Sequence, residues 1–153
     1  VLDLSPQYVS ICIGINDVWR QFDSPAIPDG QVSPEEYERN LTEMLESLSG
    51  RVKGVFLMTP YYMEPNEADW MRARMDEYGA ICRVLAEKFG ATLVDVQAMF
   101  NEYFKYRHSS YIAWDRVHPN QIGATLIART FLEKCGFDYA HVPDERRRPY
   151  AFL

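Results

Sequence analysis

Asp115 and His118 are the residues whose types and spacing point most directly to chemistry. They lie in the run Trp114-Asp115-Arg116-Val117-His118-Pro119-Asn120. A carboxylate that accepts the Nδ1 proton of a nearby imidazole fixes its tautomer and leaves Nε2 free to take a proton from a nucleophile. The two side chains meet only if the chain turns sharply between them. A loop entering a helix does this, and Pro119 suits the first helical position, where its missing N–H is not needed. The run supplies two members of a hydrolytic triad. A metal site built on Asp115, His118 and another carboxylate has little support from ligand spacing.

A second chemical residue is Asn16, in Gly14-Ile15-Asn16-Asp17. An Asn amide just after a glycine turn offers an N–H donor to an oxyanion. The plainer alternative is a turn with an Asx hydrogen bond. Asp17 reads as structural, satisfying amides of its own turn. Trp19 and Arg20 follow closely and are candidates to line a substrate pocket. So are Tyr61 and Tyr62, which leave a strand, although packing under the next helix is an equal alternative for them. Arg72 and Arg74 could also reach a polar substrate group; for each of these arginines, Arg20 included, a surface ion pair is the safer reading. His108 and His141 have no partner pattern.

These residues need elements to hold them. Tyr8 to Ile15 is β-branched and apolar, the pattern of a strand buried on both faces. Asp23 to Gln31 reads as a loop. Ser33-Pro34-Glu35-Glu36 is a helix start, followed by Tyr37, Leu41, Met44, Leu45 and Leu48 at helical spacing. Lys53 to Thr59 predicts a second strand, Asn66 to Phe89 a long helix closed by Gly90, and Ala91 to Val96 a third strand. The Met and aromatic stripe of the long helix, Trp70 included, reads as core. A short helix over Gln97 to Tyr106, a loop over His108 to Trp114 and a last helix that starts at Pro119 or Asn120 and ends at Gly136 complete the domain, residues 1–136. Residues 137–153 read as an irregular tail. Alternating buried strands and helices imply a parallel sheet with helices on both faces. Sites in such sheets gather at the carboxyl ends of the strands, where Asn16, Tyr61 and the Asp115–His118 run all emerge.

Gly14-Ile15-Asn16-Asp17 resembles the G-x-N-D block of the SGNH (GDSL) hydrolases, and Asp115-Arg116-Val117-His118 resembles their D-x-x-H block. Both occur in the family's order, and the resemblance covers nearly the whole chain. It implies a three-layer α/β/α, flavodoxin-like fold and ester hydrolysis through an acyl-serine intermediate. Asn16 would be an oxyanion-hole donor, His118 the general base and acid, and Asp115 its orienting partner. Small acyl esters or acetylated carbohydrates would be the substrates, and no cofactor or metal is implied.

The departure from the family lies before Asn16. The family's G-D-S nucleophile block and its oxyanion glycine both precede G-x-N-D, and neither is present. Ser5, Ser10, Ser24, Ser33, Ser109 and Ser110 all lack the strand-to-helix turn on which a nucleophile is presented. The expectation is an α/β/α sheet incomplete at its N-terminus, short of a strand–helix–strand unit on the order of 30 residues. The chain alone is then expected to be inactive, with the nucleophile outside it. The alternative is a non-catalytic or split module that binds a ligand or a complementing chain. An open edge on the Tyr8–Ile15 strand would invite that chain or a second copy.

Composition narrows the partners. Of 153 residues, 47% are hydrophobic and 25% charged, a globular balance, and the net charge is −6. That charge argues against nucleic acid, which needs clustered Lys and Arg. The basic run Arg146-Arg147-Arg148 reads as solvated tail. No apolar run is long enough to span a membrane. Cys12, Cys82 and Cys135 fall in apolar patterns and read as buried free thiols. They lean towards a reducing, cytoplasmic setting, but the compartment stays open.

Overall fold

The computed structural model describes residues 1–27 and 30–139. Three strands, β1 (Tyr8–Cys12), β2 (Gly54–Met58) and β3 (Thr92–Val94), form a parallel sheet in that order. Ile11 stands opposite Leu57, and Leu57 opposite Leu93. Among the described residues five α-helices accompany them: α1 (Ile15–Asp23), α2 (Pro34–Leu48), α3 (Trp70–Phe89), α4 (Val96–Phe104) and α5 (Gln121–Lys134). His141, Arg146, Arg147, Arg148 and the rest of the predicted tail beyond residue 139 lie outside the described residues.

Alternation along the strands builds two cores. Ile11, Val55, Leu57 and Leu93 face α1, α2 and α3, meeting Val18, Leu41, Met75, Tyr78 and Leu85. Phe56, Met58 and Val94 face the other way, onto α4 and α5 with Phe100, Ile127 and Phe131. The result is the three-layer α/β/α arrangement read from the sequence. Among the described residues no helix is long and apolar enough to cross a membrane.

Local chemistry sets the element boundaries. Ser33 Oγ accepts the N–H of Glu36 at 3.2 Å and Pro34 opens α2, as its sequence requires. The long helix starts later than Asn66, because Asn66 and Asp69 both turn the chain first. Asp69 caps α3 through the N–H of Arg72, and Gly90 ends it at φ 63. Trp70, read as core, falls in the first turn and is exposed. Asp95 cuts the predicted third strand short by capping α4. Asn120, not Pro119, begins the last helix, since its Oδ1 accepts the N–H groups of both Ile122 and Gly123. Pro119 lies before the cap, in a bridge with Ala113.

Three expectations are corrected. A helix, α1, follows β1 at once, where only a turn was read. Ile15, Val18, Trp19 and Phe22 carry its helical spacing. Second, β1 is buried on one face only: Val9 and Ile11 are half-buried, whereas Tyr8, Ser10 and Cys12 are exposed. It is an edge strand, as its open edge in the sequence reading implied, and α4 and α5 cover β2 and β3 on that side instead. Third, only Cys82 is a buried thiol; Cys12 and Cys135 are exposed.

Candidate active site

The segments that leave the carboxyl ends of β1 and β2 pack closely. Gly14 has φ 120, and a Cβ there would lie 3.0 Å from Pro60 Cβ and 3.2 Å from Tyr37 Cε2. Only glycine takes that conformation without strain and leaves that space. The turn starts α1, so Asn16 sits in its first turn. Asn16 is exposed, and its side chain makes no hydrogen bond among the described residues. Its amide N–H groups are therefore available to a ligand. Asp17 does not satisfy amides of its own turn, as had been expected. Its carboxylate accepts no hydrogen bond among the described residues. Burial, and then the charge of Glu36, raises its pKa.

Trp19, one turn after Asn16 on α1, crosses to the other functional segment. Its ring meets the His118 imidazole edge-on, with centroids 5.7 Å apart and planes at 78°. Residues three apart on a helix are neighbours on its surface. The Trp19 contact thus places Asn16 on the same side of the molecule as His118. Arg20 stacks on Trp19 at 4.9 Å and pairs with Asp23 at 2.6 Å.

Asp115 and His118 meet as their spacing requires. His118 Nδ1 lies 2.6 Å from Asp115 Oδ2. Asp115 Oδ1 accepts the N–H groups of Val117 at 3.0 Å and His118 at 2.8 Å. Burial alone would raise the Asp115 pKa. The His118 ring and these two backbone donors outweigh it and bring the carboxyl down to about 2. Asp115 is ionised at any ordinary pH and holds the proton of its partner on Nδ1. The His118 side chain is 62% exposed, and Nε2 has no hydrogen-bond partner among the described residues.

The turn that brings the pair together is made at Arg116, whose φ is 66. A left-handed conformation at a non-glycine residue costs on the order of 1 kcal/mol. Val117 is buried behind the turn, which joins α5 through an Asn120 N–H bond to the Ile112 carbonyl at 2.7 Å.

The remaining candidates lie in or near the cores. Tyr61 packs on Phe100, with centroids 5.2 Å apart. Tyr62 is buried, its N–H held by Gln97 Oε1 at 2.8 Å, and Arg116 lies over its ring at 5.3 Å. Arg72 is neither a surface ion pair nor a free ligand group. Its side chain is 2% exposed and ties Asp76, the Glu64 carbonyl and Asn101 together. Arg74 pairs with Glu77 on the surface. His108 Nδ1 caps a short turn through the Ser110 N–H. No serine bonds to His118, and no group of three His, Cys, Asp or Glu side chains among the described residues could hold a metal. Arg116 and Glu64 escaped the sequence reading. Nothing at position 64 marks it as a neighbour of position 116.

The fold is thus a parallel α/β/α sheet with an Asp–His pair and an unengaged Asn near the carboxyl ends of its strands. The chain belongs to the GDSL-like lipase/acylhydrolase family, whose model matches residues 1–126. It is 45% identical over 139 residues to an acetylxylan esterase from Geobacillus stearothermophilus, covering 91% of this chain and 64% of that one. The crystal structure of Axe2, an acetylxylan esterase from the same organism, superposes with a TM-score of 0.88 at 46% identity, over 90% of this chain and 63% of that one. LAE5, an alpha/beta hydrolase from the metagenome of Lake Arreo, Spain, superposes with a TM-score of 0.87. It is 51% identical, over 89% of this chain and 62% of the other. Solved catalytic mutants of Axe2 replace a serine, an aspartate or a histidine by alanine.

Proposed function

We propose that this chain carries the acid–base end of a serine esterase active on small acyl or acetylated carbohydrate esters, with its nucleophilic serine outside the chain. The observation that carries the proposal is the Asp115–His118 hydrogen bond, with Nε2 unpartnered among the described residues. Serine would attack the ester carbonyl as His118 Nε2 takes its proton. Asp115 would stabilise the imidazolium. The Asn16 amide and backbone N–H groups would hold the oxyanion. His118 would then protonate the leaving alcohol and activate the water that frees the acyl group.

Two features of the Geobacillus enzyme support this. Its replaced aspartate and histidine are three positions apart, as Asp115 and His118 are, and its replaced serine lies near the start of its chain. Acetylated xylan or xylooligosaccharide is what that enzyme is named for. The exposed Trp114, next to Asp115 in the sequence, offers a sugar an apolar face to lie on.

The test is turnover of a short-chain chromogenic ester. The 153 residues alone should show none that depends on His118. A form that also carries a strand and serine preceding this sequence should show turnover, lost in His118→Ala. Turnover by the chain alone that His118→Ala abolishes would place the nucleophile inside it and sink the proposal.

The exposed edge supports a second reading, a split module completed by another chain or a second copy. Tyr8, Ser10 and Cys12 are exposed on one face of β1. A groove of about 540 Å³ runs along the strand, lined by Leu2, Val9, Ile11, Ile13 and Met44. Sedimentation at several concentrations separates the readings: self-association that buries β1 favours the second.

A further inference from the structure

We propose that Arg116 is a positioning residue, which holds the turn between Asp115 and His118 closed through Glu64 and Tyr62. The inference deepens the esterase reading and takes the role of the pair from it.

Asp115 and His118 meet because Arg116 adopts a left-handed conformation. Glycine would adopt it without cost, so an arginine there must be held. Three contacts hold it. Its guanidinium donates from Nη1 to Glu64 Oε2. The same group lies 5.3 Å over the Tyr62 ring. Its carbonyl accepts the N–H of Met63 at 2.8 Å. All three partners belong to the segment that leaves β2.

That segment is fixed from below. Met63 is wholly buried, and Gln97 holds the Tyr62 N–H. The buried Arg72 donates to the Glu64 carbonyl, and Glu64 Oε1 accepts the N–H of Asn66 at 2.8 Å. An exposed ion pair contributes little by itself. This one differs, since the Glu64 side chain is 14% exposed and its rotamer is set before Arg116 arrives. The bonds from Asp115 to the Val117 and His118 N–H groups are internal to the turn and move with it. Beside the buried Val117, Arg116 is the side chain that ties the turn to the segment leaving β2.

The test reads the imidazole directly and needs no turnover. In the full chain with ¹⁵N-labelled histidine, the tautomer ratio of His118 is measured above its titration range. Asp115 should hold it mainly as the Nδ1–H form. Glu64→Gln and Arg116→Gln should lower the ratio of Nδ1–H to Nε2–H at least threefold, towards that of Asp115→Asn. Arg116→Lys, which keeps the charge without the fork, should give a smaller fall in the same direction. A general loosening of the fold would not grade with the charge at position 116 in this way. Amide spectra establish that each variant is folded. Should Glu64→Gln not fold, Arg116→Gln and Arg116→Lys carry the same comparison. Folded variants with the wild-type ratio would overturn the proposal. So would an Arg116→Lys ratio that falls as far as that of Arg116→Gln. If the ratio falls but ester turnover of the serine-bearing enzyme does not, the clamp stands and the esterase reading fails.

Discussion

Trp19 of α1 meets the imidazole of His118 edge-on, at a centroid distance of 5.7 Å. The contact joins two segments a hundred residues apart in sequence. One carries Asn16 and the other Asp115 and His118, so the ring couples the candidate oxyanion donor to the candidate base. Aromatic edge contacts of this kind contribute about 0.5–1.5 kcal/mol beyond their buried area. Trp19→Ala should therefore loosen His118 without unfolding the domain. The expected outcome in the serine-bearing esterase is a fall in kcat of about tenfold. Trp19→Phe should retain most of the activity. An unchanged kcat in Trp19→Ala, with imidazole relaxation like that of the wild type, would remove Trp19 from the site.

Asp115 gives a prediction about acid stability whose sign follows from its carboxyl pKa of about 2. The folded value is depressed below the ordinary value of about 3.9, so the unfolded chain binds the proton more readily. The contribution of Asp115 is fully present above about pH 4 and is lost as pH falls towards 2. Asp115→Asn should be less stable than the wild type at pH 6, and the gap should close by pH 2. Urea unfolding of both forms at the two pH values checks this. A gap that widens on acidification would mean that the carboxylate is not held as described. Because Asp115 stays ionised, it should add no inflection to a pH–rate profile above pH 4.

The sheet and the pair were legible in the sequence for one reason: short-range patterns encode them. Ser33 with Pro34 marked α2, Leu41 and Leu45 its buried face, and the three-residue spacing of Asp115 and His118 their meeting in a turn. What was not legible depends on contacts between distant residues. The exposure of Tyr8 and Cys12 follows from which neighbours β1 has, and its apolar sequence does not record that. The role of Asn120 was obscured by Pro119, because both residues favour a helix start and only the closed loop decides between them. Arg72 looked like a surface group because arginine usually is one. Its burial depends on Asp76, Asn101 and the Glu64 carbonyl converging on it.

Asn16 is suited to a clean separation of catalysis from folding. Its side chain is exposed and bonds to nothing among the described residues, so its loss should leave the urea midpoint unchanged. An oxyanion donor, by contrast, typically supplies a factor of about 10²–10³ in kcat. Asn16→Ala in the serine-bearing enzyme should lower kcat by about that factor and change KM little. A variant that loses stability, or loses KM alone, would return Asn16 to the turn-forming role that its position also allows.

Gly123 tests whether the base depends on the start of α5. It lies in the first turn of that helix, buried against Pro119 and Ile112. A Cβ there would fall 2.8 Å from Pro119 Cβ and 3.0 Å from the Ile112 carbonyl oxygen. Pro119 follows His118 directly, and the Ile112 carbonyl holds the Asn120 cap, so neither group can move without shifting the turn. Overpacking of this kind costs about 1–3 kcal/mol. Gly123→Ala should lower stability by that amount and also weaken the His118–Asp115 hydrogen bond, visible as a shift of the imidazole tautomer ratio. A loss of stability with the tautomer ratio unchanged would show that the helix start and the pair are mechanically independent.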